Sequence, residues 1–271
     1  MLDLARPCVM GILNVTPDSF SDAGQHGDVT SALSAAERMV QEGAAIIDVG
    51  GESTRPGAIP VSLDQELDRV IPVVESISQN IDIVISVDTS RPEVMREAHA
   101  AGAGLINDVR ALALEGAVQA AVKTQLPVCL MHMKGKPKTM QKAPMYGDVV
   151  DEVTRFLLDR ALFCIQAGIN ENQLLIDPGI GFGKSLDDNL LLLKNLEKMA
   201  GHGFPVLLGA SRKSVIGTVL NQSVDKRLYG SLSIAGIAVW AGVKIIRAHD
   251  VGATVDTVNM AYAISSAQQG D

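Results

Sequence analysis

The stretch LLIDPGIGFGKSLDDN (residues 174–189) contains, in order, a short apolar run, a loop with three glycines and the start of a helical pattern. A buried strand followed by a loop and a helix is the unit from which parallel sheets are built. The glycines lead into Lys184, and a glycine-rich loop that ends in lysine also occurs in nucleotide-binding P-loops. The segment therefore predicts a β-α unit and raises the question of what its loop binds.

The local sequence argues against a nucleotide site in this loop. Pro178 stands where a P-loop has its first glycine, and proline has no N–H with which to bind phosphate. Asp177, directly before it, would place a negative charge where phosphate charge accumulates. The glycines are therefore expected to serve something other than a nucleotide.

The strand-loop-helix pattern recurs along the whole chain. Short runs rich in Val, Ile and Leu predict eight strands, at residues 7–15, 45–50, 83–87, 105–109, 127–131, 174–177, 205–208 and 244–247. Helical spacing predicts helices between them, among them residues 29–42, 62–78, 92–101 and 149–167. Eight repeats predict an α/β fold that closes into a (β/α)8 TIM barrel, and a doubly wound open sheet is the alternative.

Length and composition agree with one barrel. The chain has 271 residues, and a TIM barrel typically has about 250, so we expect a single domain over residues 1–271. Hydrophobic residues make up 47% of the chain but aromatic residues only 3%. The core is therefore expected to consist of aliphatic side chains, which suits buried parallel strands.

Charge and hydropathy exclude several classes of function. A formal net charge of −8 argues against an extended surface for nucleic acid. No apolar run reaches the length of about 18 residues that a membrane span needs, and the first ten residues do not resemble a signal peptide. Cys8, Cys129 and Cys164 lack the spacing of a disulfide or zinc motif. We therefore expect a cytoplasmic protein with neither a nucleic-acid partner nor a membrane partner.

Polar side chains stand at the downstream end of nearly every predicted strand. In a TIM barrel these ends meet at one mouth, where active sites are built. Polar residues also follow strands where they only cap the next helix, but a carboxylate inside an apolar run, as at Asp88 and Asp177, is costly without a partner. In chain order the residues are Asn14, Asp48, Glu52, Asp88, Asn107, Asp108, His132, Asp177, Ser211, Arg212, Lys213, Arg247 and His249.

Two parts of this predicted mouth suggest distinct chemistry. Asp88, Asn107 and Asp177 would form a polar wall for the N–H edge of a planar heterocycle, because an ionised carboxylate accepts two parallel donors. Arg247 and His249 are two residues apart at one strand end and therefore point the same way, which suggests an anion clamp.

Metal binding has two alternatives in the sequence. A transition-metal site would use His132 and His249, but these histidines lie on different predicted strands and lack the tight spacing of metal-binding pairs. Mg²⁺ fits better, because it offsets phosphate charge and needs only one or two protein ligands. Arg55, in the glycine-rich segment GGESTRPGA, would add a mobile cation.

The chain resembles the dihydropteroate synthase family of pterin-binding enzymes over nearly its whole length. Any one of the matching segments is weak, whereas eight in order, each at a predicted strand end, are specific. The segments are MGILNVTPDSFSD from Met10, DVGGESTRPGA from Asp48, SVDTSRPEV from Ser86, INDVRAL from Ile106, MHMKGKPKTMQ from Met131, LIDPGIGFGK from Leu175, LLGASRKSVIG from Leu207 and IIRAHDV from Ile245.

The resemblance implies an enzyme of folate biosynthesis. Members of this family join 6-hydroxymethyl-7,8-dihydropterin diphosphate to 4-aminobenzoate, release pyrophosphate and form 7,8-dihydropteroate. Their cofactor is Mg²⁺, they are commonly homodimers, and sulfonamides mimic their 4-aminobenzoate. Residues 253–267 are a candidate for the dimer interface here.

The resemblance also implies roles for individual residues. Pterin contacts are implied for Asp88, Asn107 and Asp177, with Lys213 near the ring carbonyl and Phe182 packed beside the substrates. The glycines before Lys184 would let the backbone approach this ring. They would thus serve a pterin and not a nucleotide.

The remaining matches concern the other substrate groups. The diphosphate end matches Arg247 and His249, with Asn14 as the ligand of Mg²⁺. The 4-aminobenzoate end matches Ser214 and two mobile loops, one around Asp18, Ser19 and Phe20 and the other around Thr54, Arg55 and Pro56.

The implied mechanism is loss of pyrophosphate followed by capture of the pterin methylene cation by the arylamine. A carboxylate near the ring would help to stabilise this cation, while Mg²⁺ and basic side chains stabilise the departing anion. Closure of the two loops would exclude water, which otherwise captures the cation. The residues expected to act in catalysis are Arg55, Asp88, Lys213, Arg247 and His249.

Two rival functions share parts of this pattern. A corrinoid-linked methyltransferase binds methyltetrahydrofolate in a related pocket, but it does not need the clamp formed by Arg247 and His249. A non-catalytic pterin-binding protein would keep the pocket without needing the loops at residues 14–22 and 54–57.

Overall fold

The computed structural model describes residues 3–16, 24–52, 61–135 and 145–267 of the 271-residue chain. Side chains of the first helix are described from Val29 onward. The two predicted mobile loops, around residues 18–20 and 54–56, lie outside these ranges.

Eight parallel strands form the centre of the protein. They are β1 (Cys8–Asn14), β2 (Ile46–Gly50), β3 (Val84–Asp88), β4 (Leu105–Asp108), β5 (Val128–Met131), β6 (Leu174–Asp177), β7 (Leu207–Leu208) and β8 (Ile245–Ala248). Their order in the sheet is β6-β5-β4-β3-β2-β1-β8-β7, and a parallel bridge between Ile176 and Val206 links β6 to the chain just before β7. The sheet is thus a nearly closed barrel. This confirms the predicted TIM barrel, and the open-sheet alternative is wrong.

Helices connect the strands on the outside of the barrel. Those described are α1 (Gly24–Gln41), α2 (Leu63–Asn80), α3 (Pro92–Ala101), α4 (Ala117–Thr124), α5 (Val149–Gln166), α6 (Leu186–Lys194), α7 (Leu196–Ala200), α8 (Ser214–Leu220), α9 (Leu228–Trp240) and α10 (Val251–Ser265). None of the described helices is long and apolar enough to cross a membrane.

Local sequence sets several of the helix ends. Ser62 and Gln65 form a reciprocal capping box at the start of α2, which satisfies two backbone N–H groups that the helix itself cannot pair. Pro92 occupies the first turn of α3, where its missing N–H costs nothing, and Gly102 ends that helix with a φ of 112°.

Two predicted elements have different bounds in the structure. The helix predicted to start at residue 29 begins at Gly24, although glycine is less favourable in a helix than alanine by about 1 kcal/mol. β7 contains two residues instead of the predicted four, since Pro205 has no N–H to donate to a neighbouring strand.

Apolar side chains fill two separate regions of the barrel. One lies between the sheet and the helices and contains aliphatic residues such as Ile47, Val74 and Ile106. The other is inside the barrel, at its amino-terminal end, and we call it the floor. The floor consists of Met10, Ile46, Leu105, Cys129, Leu175, Leu207 and Ile245, all of them buried.

Candidate active site

A polar layer lies directly above the apolar floor. Side chains alternate along a strand, so the residue two positions after a floor residue also points into the barrel. On four strands that next inward residue carries a polar side chain: Asp48, Asn107, Asp177 and Arg247. The sequence therefore places hydrogen-bonding groups inside the barrel near its carboxyl-terminal mouth.

The side chain of Arg247 bridges carboxylates on two neighbouring strands, β2 and β3. Its Nε donates to Asp48 Oδ2 at 2.6 Å, and its Nη2 donates to Asp88 Oδ2 at 2.9 Å. Asn107 Nδ2 donates to the same oxygen of Asp48 at 3.1 Å. Three predicted site residues, Asp88, Asn107 and Arg247, thus belong to one network, and Asp48 is the residue that connects them.

Asp48 is a site residue that sequence reasoning missed. Its position at a strand end predicts a place at the mouth but no specific role, although it lies inside an apolar run as Asp88 and Asp177 do. Its partner Arg247 is 199 positions away in the chain, so no local spacing could reveal the pair. The other carboxylate oxygen, Asp48 Oδ1, is buried without a hydrogen-bond partner among the described residues.

The electrostatics of this network favour a fixed cation beside a titratable acid. Burial raises the pKa of Asp88 to about 7, although Arg247 opposes this and Asp48 adds to it. Burial lowers the pKa of Arg247, but the carboxylates of Asp48 and Asp88 outweigh burial and leave that pKa above its ordinary value. Arg247 therefore stays charged, whereas Asp88 changes its charge close to neutral pH.

A second group of site residues lies on β6 and on the loop after β7. Asp177 Oδ1 accepts a hydrogen bond from the N–H of Gly179 at 2.7 Å. Lys213 Nζ donates to the carbonyl of Ile180 at 2.6 Å and lies 4.6 Å from the centre of the Phe182 ring. The structure thus brings Asp177, Phe182 and Lys213 together around one short loop.

The charges of Asp177 and Lys213 influence each other's pKa. Burial lowers the pKa of Lys213 to about 8, and the charge of Asp177 opposes that shift. Burial likewise raises the pKa of Asp177, and Lys213 opposes it most strongly.

Gly209 lies next to both groups. A Cβ at this position would lie 3.7 Å from Arg247 Cδ and 3.9 Å from Lys213 Nζ. A longer side chain there would therefore separate the two cations. Their proximity creates a mouth in which Asp48, Asp88 and Asp177 surround two positive charges.

The glycines after β6 are required by close backbone contacts. Gly179 and Gly183 have φ angles of 66° and 63°, which disfavour other residues. A Cβ on Gly179 would lie 2.0 Å from the carbonyl oxygen of His132, and one on Gly183 would lie 2.1 Å from that of Lys134. These glycines let the loop pack against the chain that follows β5.

Lys184, the residue that suggested a P-loop, points into the protein. Its side chain is 2% exposed. Its Nζ lies 2.9 Å from His132 Nδ1 and donates to the carbonyls of Gly179 at 3.0 Å and Phe182 at 3.1 Å. Since these groups occupy the ammonium, it is not available to a phosphate, and the nucleotide alternative is wrong.

His132 is part of this buried arrangement through its contact with Lys184. Burial and the adjacent Lys184 lower the pKa of His132 to about 3, so the imidazole is neutral. Its ring packs edge-on against Phe156, with the ring centres 4.9 Å apart. Within the described ranges no three His, Cys, Asp or Glu residues are grouped to hold a metal ion. The structure therefore gives no support to a transition-metal site.

His249, one of the two residues of the predicted anion clamp, lies where the loops after β7 and β8 contact each other. His249 follows β8, and its backbone N–H donates to Ser211 Oγ at 3.2 Å while its Nδ1 lies 3.1 Å from the same oxygen. Arg212 Nε donates to Asp250 Oδ2 at 2.9 Å, which ties the loop after β7 to the loop after β8. Ser214, the first residue of α8, is exposed. The contacts of Ser211 and Asp250 were not predicted.

Asn14 offers an oxygen to a hard metal ion. It ends β1 beside Gly50, which in turn pairs with Asp88 on β3. A Cβ on Gly50 would lie 3.8 Å from Asn14 Oδ1 and 3.7 Å from Asp88 Oδ2, so both oxygens border the same space. Mg²⁺ takes oxygen ligands and is commonly held by one or two protein groups together with water and substrate phosphates. This donor set fits such an ion.

The remaining predicted residues lie outside the described ranges: Thr54, Arg55 and Pro56. Both ends of the segment that contains them are held in place. Arg69 Nη1 donates to the carbonyl of Gly51 at 3.0 Å, before the segment. After it, Arg91 donates to the carbonyl of Val61, and the same guanidinium pairs with the buried carboxylate of Glu66 at 3.0 Å.

Comparison with known proteins places this geometry in one family. The family model for pterin binding enzymes matches residues 10–249. Dihydropteroate synthase of Escherichia coli K12 is 54% identical over 268 residues, which are 99% of this chain and 95% of that protein.

Solved structures agree in fold as well as in sequence. The Yersinia pestis dihydropteroate synthase with a sulfonamide drug complex has a TM-score of 0.94 and 52% identity, over 98% of this chain and 97% of that one. The Xanthomonas albilineans dihydropteroate synthase with 4-aminobenzoic acid has a TM-score of 0.93 and 48% identity, over 98% and 96% of the two chains. The mouth described above therefore lies in a barrel that this group of enzymes shares.

Proposed function

The chain belongs to the dihydropteroate synthase family, and from this premise we propose that its barrel mouth joins 6-hydroxymethyl-7,8-dihydropterin diphosphate to 4-aminobenzoate, releasing pyrophosphate and 7,8-dihydropteroate. One observation supports the proposal most directly. Arg247 bridges Asp48 and Asp88 at 2.6 and 2.9 Å, while Asp177 and Lys213 face the same mouth. Carboxylates that can bind the N–H edge of the pterin thus lie beside cations that can bind the diphosphate.

The pterin ring would bind against the acidic wall. Its amidine-like N–H edge offers parallel donors, and the ionised carboxylate of Asp177 can accept two of them. Asn107 is oriented by its bond to Asp48 and presents an amide to the same ring. Lys213 Nζ would reach the ring carbonyl, and the Phe182 ring, 4.6 Å from that ammonium, would pack beside the substrates.

The balance of charge suits a reaction that creates a cation. Asp48, Asp88 and Asp177 outnumber Lys213 and Arg247 when all five are ionised. When the bond to diphosphate breaks, positive charge develops on the pterin methylene carbon. Preorganised carboxylates stabilise such charge better than water does, because they need no reorganisation at the moment of reaction.

The diphosphate would lie at the end of the mouth formed by Arg247, His249 and Asn14. Arg247 uses only part of its five N–H groups on Asp48 and Asp88 among the described residues, which leaves donors for phosphate oxygens. Asn14 Oδ1 would be a ligand of Mg²⁺, and the ion, when bound, supplies positive charge that offsets the charge of the leaving pyrophosphate. His249, positioned by Ser211, would donate to the same anion.

The 4-aminobenzoate would enter last, above the pterin. Its amino group is neutral at pH 7 and needs no strong base. Ser214 lies exposed at the start of α8, where a hydroxyl could bind the benzoate carboxylate. Thr54, Arg55 and Pro56 would close over this substrate.

Pyrophosphate release by the purified protein tests the proposal. With Mg²⁺ and dihydropterin diphosphate, we expect release that requires 4-aminobenzoate and yields dihydropteroate. Release without the arylamine would mean that water captures the cation. No release while pterin still binds would support the methyltransferase or the non-catalytic alternative, and methyl transfer from methyltetrahydrofolate would then be measured.

We also propose that the protein is a homodimer. α9 and α10 pack against each other and expose large apolar side chains, among them Tyr229 (79% exposed), Trp240 (65%) and Met260 (62%). Large exposed apolar patches are unusual on monomers and mark interaction surfaces. The candidate interface at residues 253–267 is thereby extended to α9. Sedimentation should show a dimer that Trp240→Glu weakens, and a wild-type monomer would contradict this.

The expected compartment is the cytoplasm, and the expected organisation is one domain over residues 1–271. Cys8, Cys129 and Cys164 are free thiols, which is what a reducing compartment maintains. Fractionation of cells that produce the protein would test its location.

A further inference from the structure

The loop after β6, which we call the glycine loop (residues 179–184), carries much of the proposed pterin pocket. Its Ile180 carbonyl holds Lys213, and its Phe182 ring lies under the ammonium of the same lysine. A small shift of this loop would therefore displace two groups that face the substrate. What fixes the loop decides the geometry of the pocket.

Two backbone carbonyl groups of the glycine loop accept hydrogen bonds from the side chain of Lys184. The ammonium donates to the carbonyls of Gly179 and Phe182 and also lies 3.3 Å from that of His132. A buried cation without partners would be costly, but here its donors all find acceptors. Burial lowers the pKa of Lys184 to about 7, but its terminal nitrogen donates hydrogen bonds in either protonation state and joins the loop to the chain after β5.

Two further side chains hold the parts of the loop that Lys184 does not reach. Asn189, buried on α6, accepts the N–H of Gly181 at 2.7 Å and donates to the carbonyl of Lys184 at 3.3 Å. Tyr146 donates its hydroxyl to the carbonyl of Gly183 at 2.9 Å. Neither residue was singled out by the sequence.

We propose that Lys184, Asn189 and Tyr146 are positioning residues for the pterin site, which fix the glycine loop in its binding conformation before the substrate arrives. This inference rests on the proposed function. None of the three would contact the substrate, since each acts on backbone groups of the loop. Their effect would be on binding of the pterin, because an ordered loop spares the ligand the entropy of ordering it.

A merely structural role makes a different prediction from a positioning role. If the three residues only stabilise the fold, substitutions lower the melting temperature and the active fraction, which lowers kcat but leaves KM unchanged. If they position the loop, the KM for dihydropterin diphosphate and the Kd of the bare pterin rise in the folded variants, by a larger factor than the KM for 4-aminobenzoate.

The test compares Lys184→Met, Asn189→Ala and Tyr146→Phe with the control Lys194→Met, which removes an exposed lysine of α6. For Lys184→Met, which leaves several buried carbonyls without their donor, we expect pterin affinity to fall by roughly 10- to 100-fold, more than after the loss of one hydrogen bond. Tyr146→Phe removes one hydroxyl and should weaken pterin binding by roughly 2- to 10-fold, the worth of one net hydrogen bond. The control should match the wild type.

Calorimetry with a pterin that lacks the diphosphate, together with steady-state kinetics, separates the outcomes. Should Lys184→Met fail to fold, Tyr146→Phe and Asn189→Ala decide the question. Unchanged pterin affinity in folded variants, with a wild type that binds pterin, would overturn the inference and leave the proposed function intact. A wild type that binds no pterin would overturn both.

Discussion

Replacing Asp48 by asparagine should shift the pH dependence of the enzyme as well as its stability. The substitution keeps the shape of the side chain and an oxygen that can face Arg247, but it removes a buried negative charge. That charge lies 2.6 Å from Arg247 Nε and also accepts from Asn107 at 3.1 Å. Asp88 keeps Arg247 paired, at 2.9 Å, so the cation is not left alone.

The expected loss of stability follows from the kind of hydrogen bond that changes. A bond to a charged group contributes about 1.5–3 kcal/mol, whereas a neutral bond contributes about 0.5–1.5 kcal/mol. The free energy of unfolding should therefore fall by roughly 1–2 kcal/mol, measured by urea denaturation. The same weakening of Arg247 should lower kcat/KM for the pterin diphosphate by roughly 5- to 30-fold.

The pH readout distinguishes an electrostatic role from a packing role. The charge of Asp48 raises the pKa of Asp88, which is about 7. Without it, this pKa falls, so Asp88 stays ionised at lower pH. If kcat/KM requires ionised Asp88, its acidic limb should move to lower pH in Asp48→Asn.

The control for this experiment is Asp68→Asn, which removes an exposed carboxylate on α2. It should change neither the stability nor the pH profile by a measurable amount. An acidic limb that stays in place in Asp48→Asn, or moves to higher pH, would refute the reasoning.

Three further results are expected. In the wild type, kcat/KM should rise with pH as Asp88 ionises near its pKa of about 7. It should fall again as Lys213 loses its proton near its pKa of about 8. A flat profile from about pH 6 to 9 would contradict these assignments. Gly183→Ala should lower the free energy of unfolding by more than about 1 kcal/mol, because its Cβ would lie 2.1 Å from a carbonyl oxygen. Gly203→Ala is the control. A Cβ there would have no atom within 4 Å, so this variant should lose only the strain energy of its φ of 89°. Arg247→Ala should weaken binding of the pterin diphosphate far more than binding of the pterin alone, and equal losses measured by calorimetry would indicate a purely structural arginine.

The barrel could be predicted from the sequence because each strand has a recognisable local pattern. Short aliphatic runs, the alternation of side chains and a glycine or polar loop after each run are all contained within about ten residues. Asp88 and Asn107 could be assigned to the mouth for the same reason, since Asp88 is the last residue of β3 and Asn107 lies one residue before the end of β4. Predictions of this kind depend on near neighbours in the chain.

The rest of the site depends on contacts that no local pattern contains. The partners Asp48 and Arg247 are distant in sequence, and the inward direction of Lys184 follows from carbonyls of three different residues. The backbone conformation of Ala111 and Leu112 could not be predicted from the local sequence either. Both have left-handed φ angles, 50° and 57°, although neither is a glycine.

This unusual backbone is stabilised by side chains from elsewhere. Asp108 Oδ2 accepts the N–H of Leu112 at 2.7 Å, and Arg160, on α5, donates to the carbonyls of Ala111 and Leu112 at 2.5 and 2.6 Å. The tertiary structure overrides the preference of these residues, which a sequence alone does not reveal.

The floor of the barrel affects how this protein can change over generations. Seven strands each contribute one apolar side chain to it, and no described residue of the floor belongs to the polar layer. Substitutions at the floor would therefore loosen the closure of the barrel without altering what the mouth recognises. Substitutions in the mouth, conversely, can alter recognition while the floor keeps the strands together. Variants selected by an inhibitor that competes with 4-aminobenzoate are thus expected to accumulate in the mouth, and their folding would tolerate them.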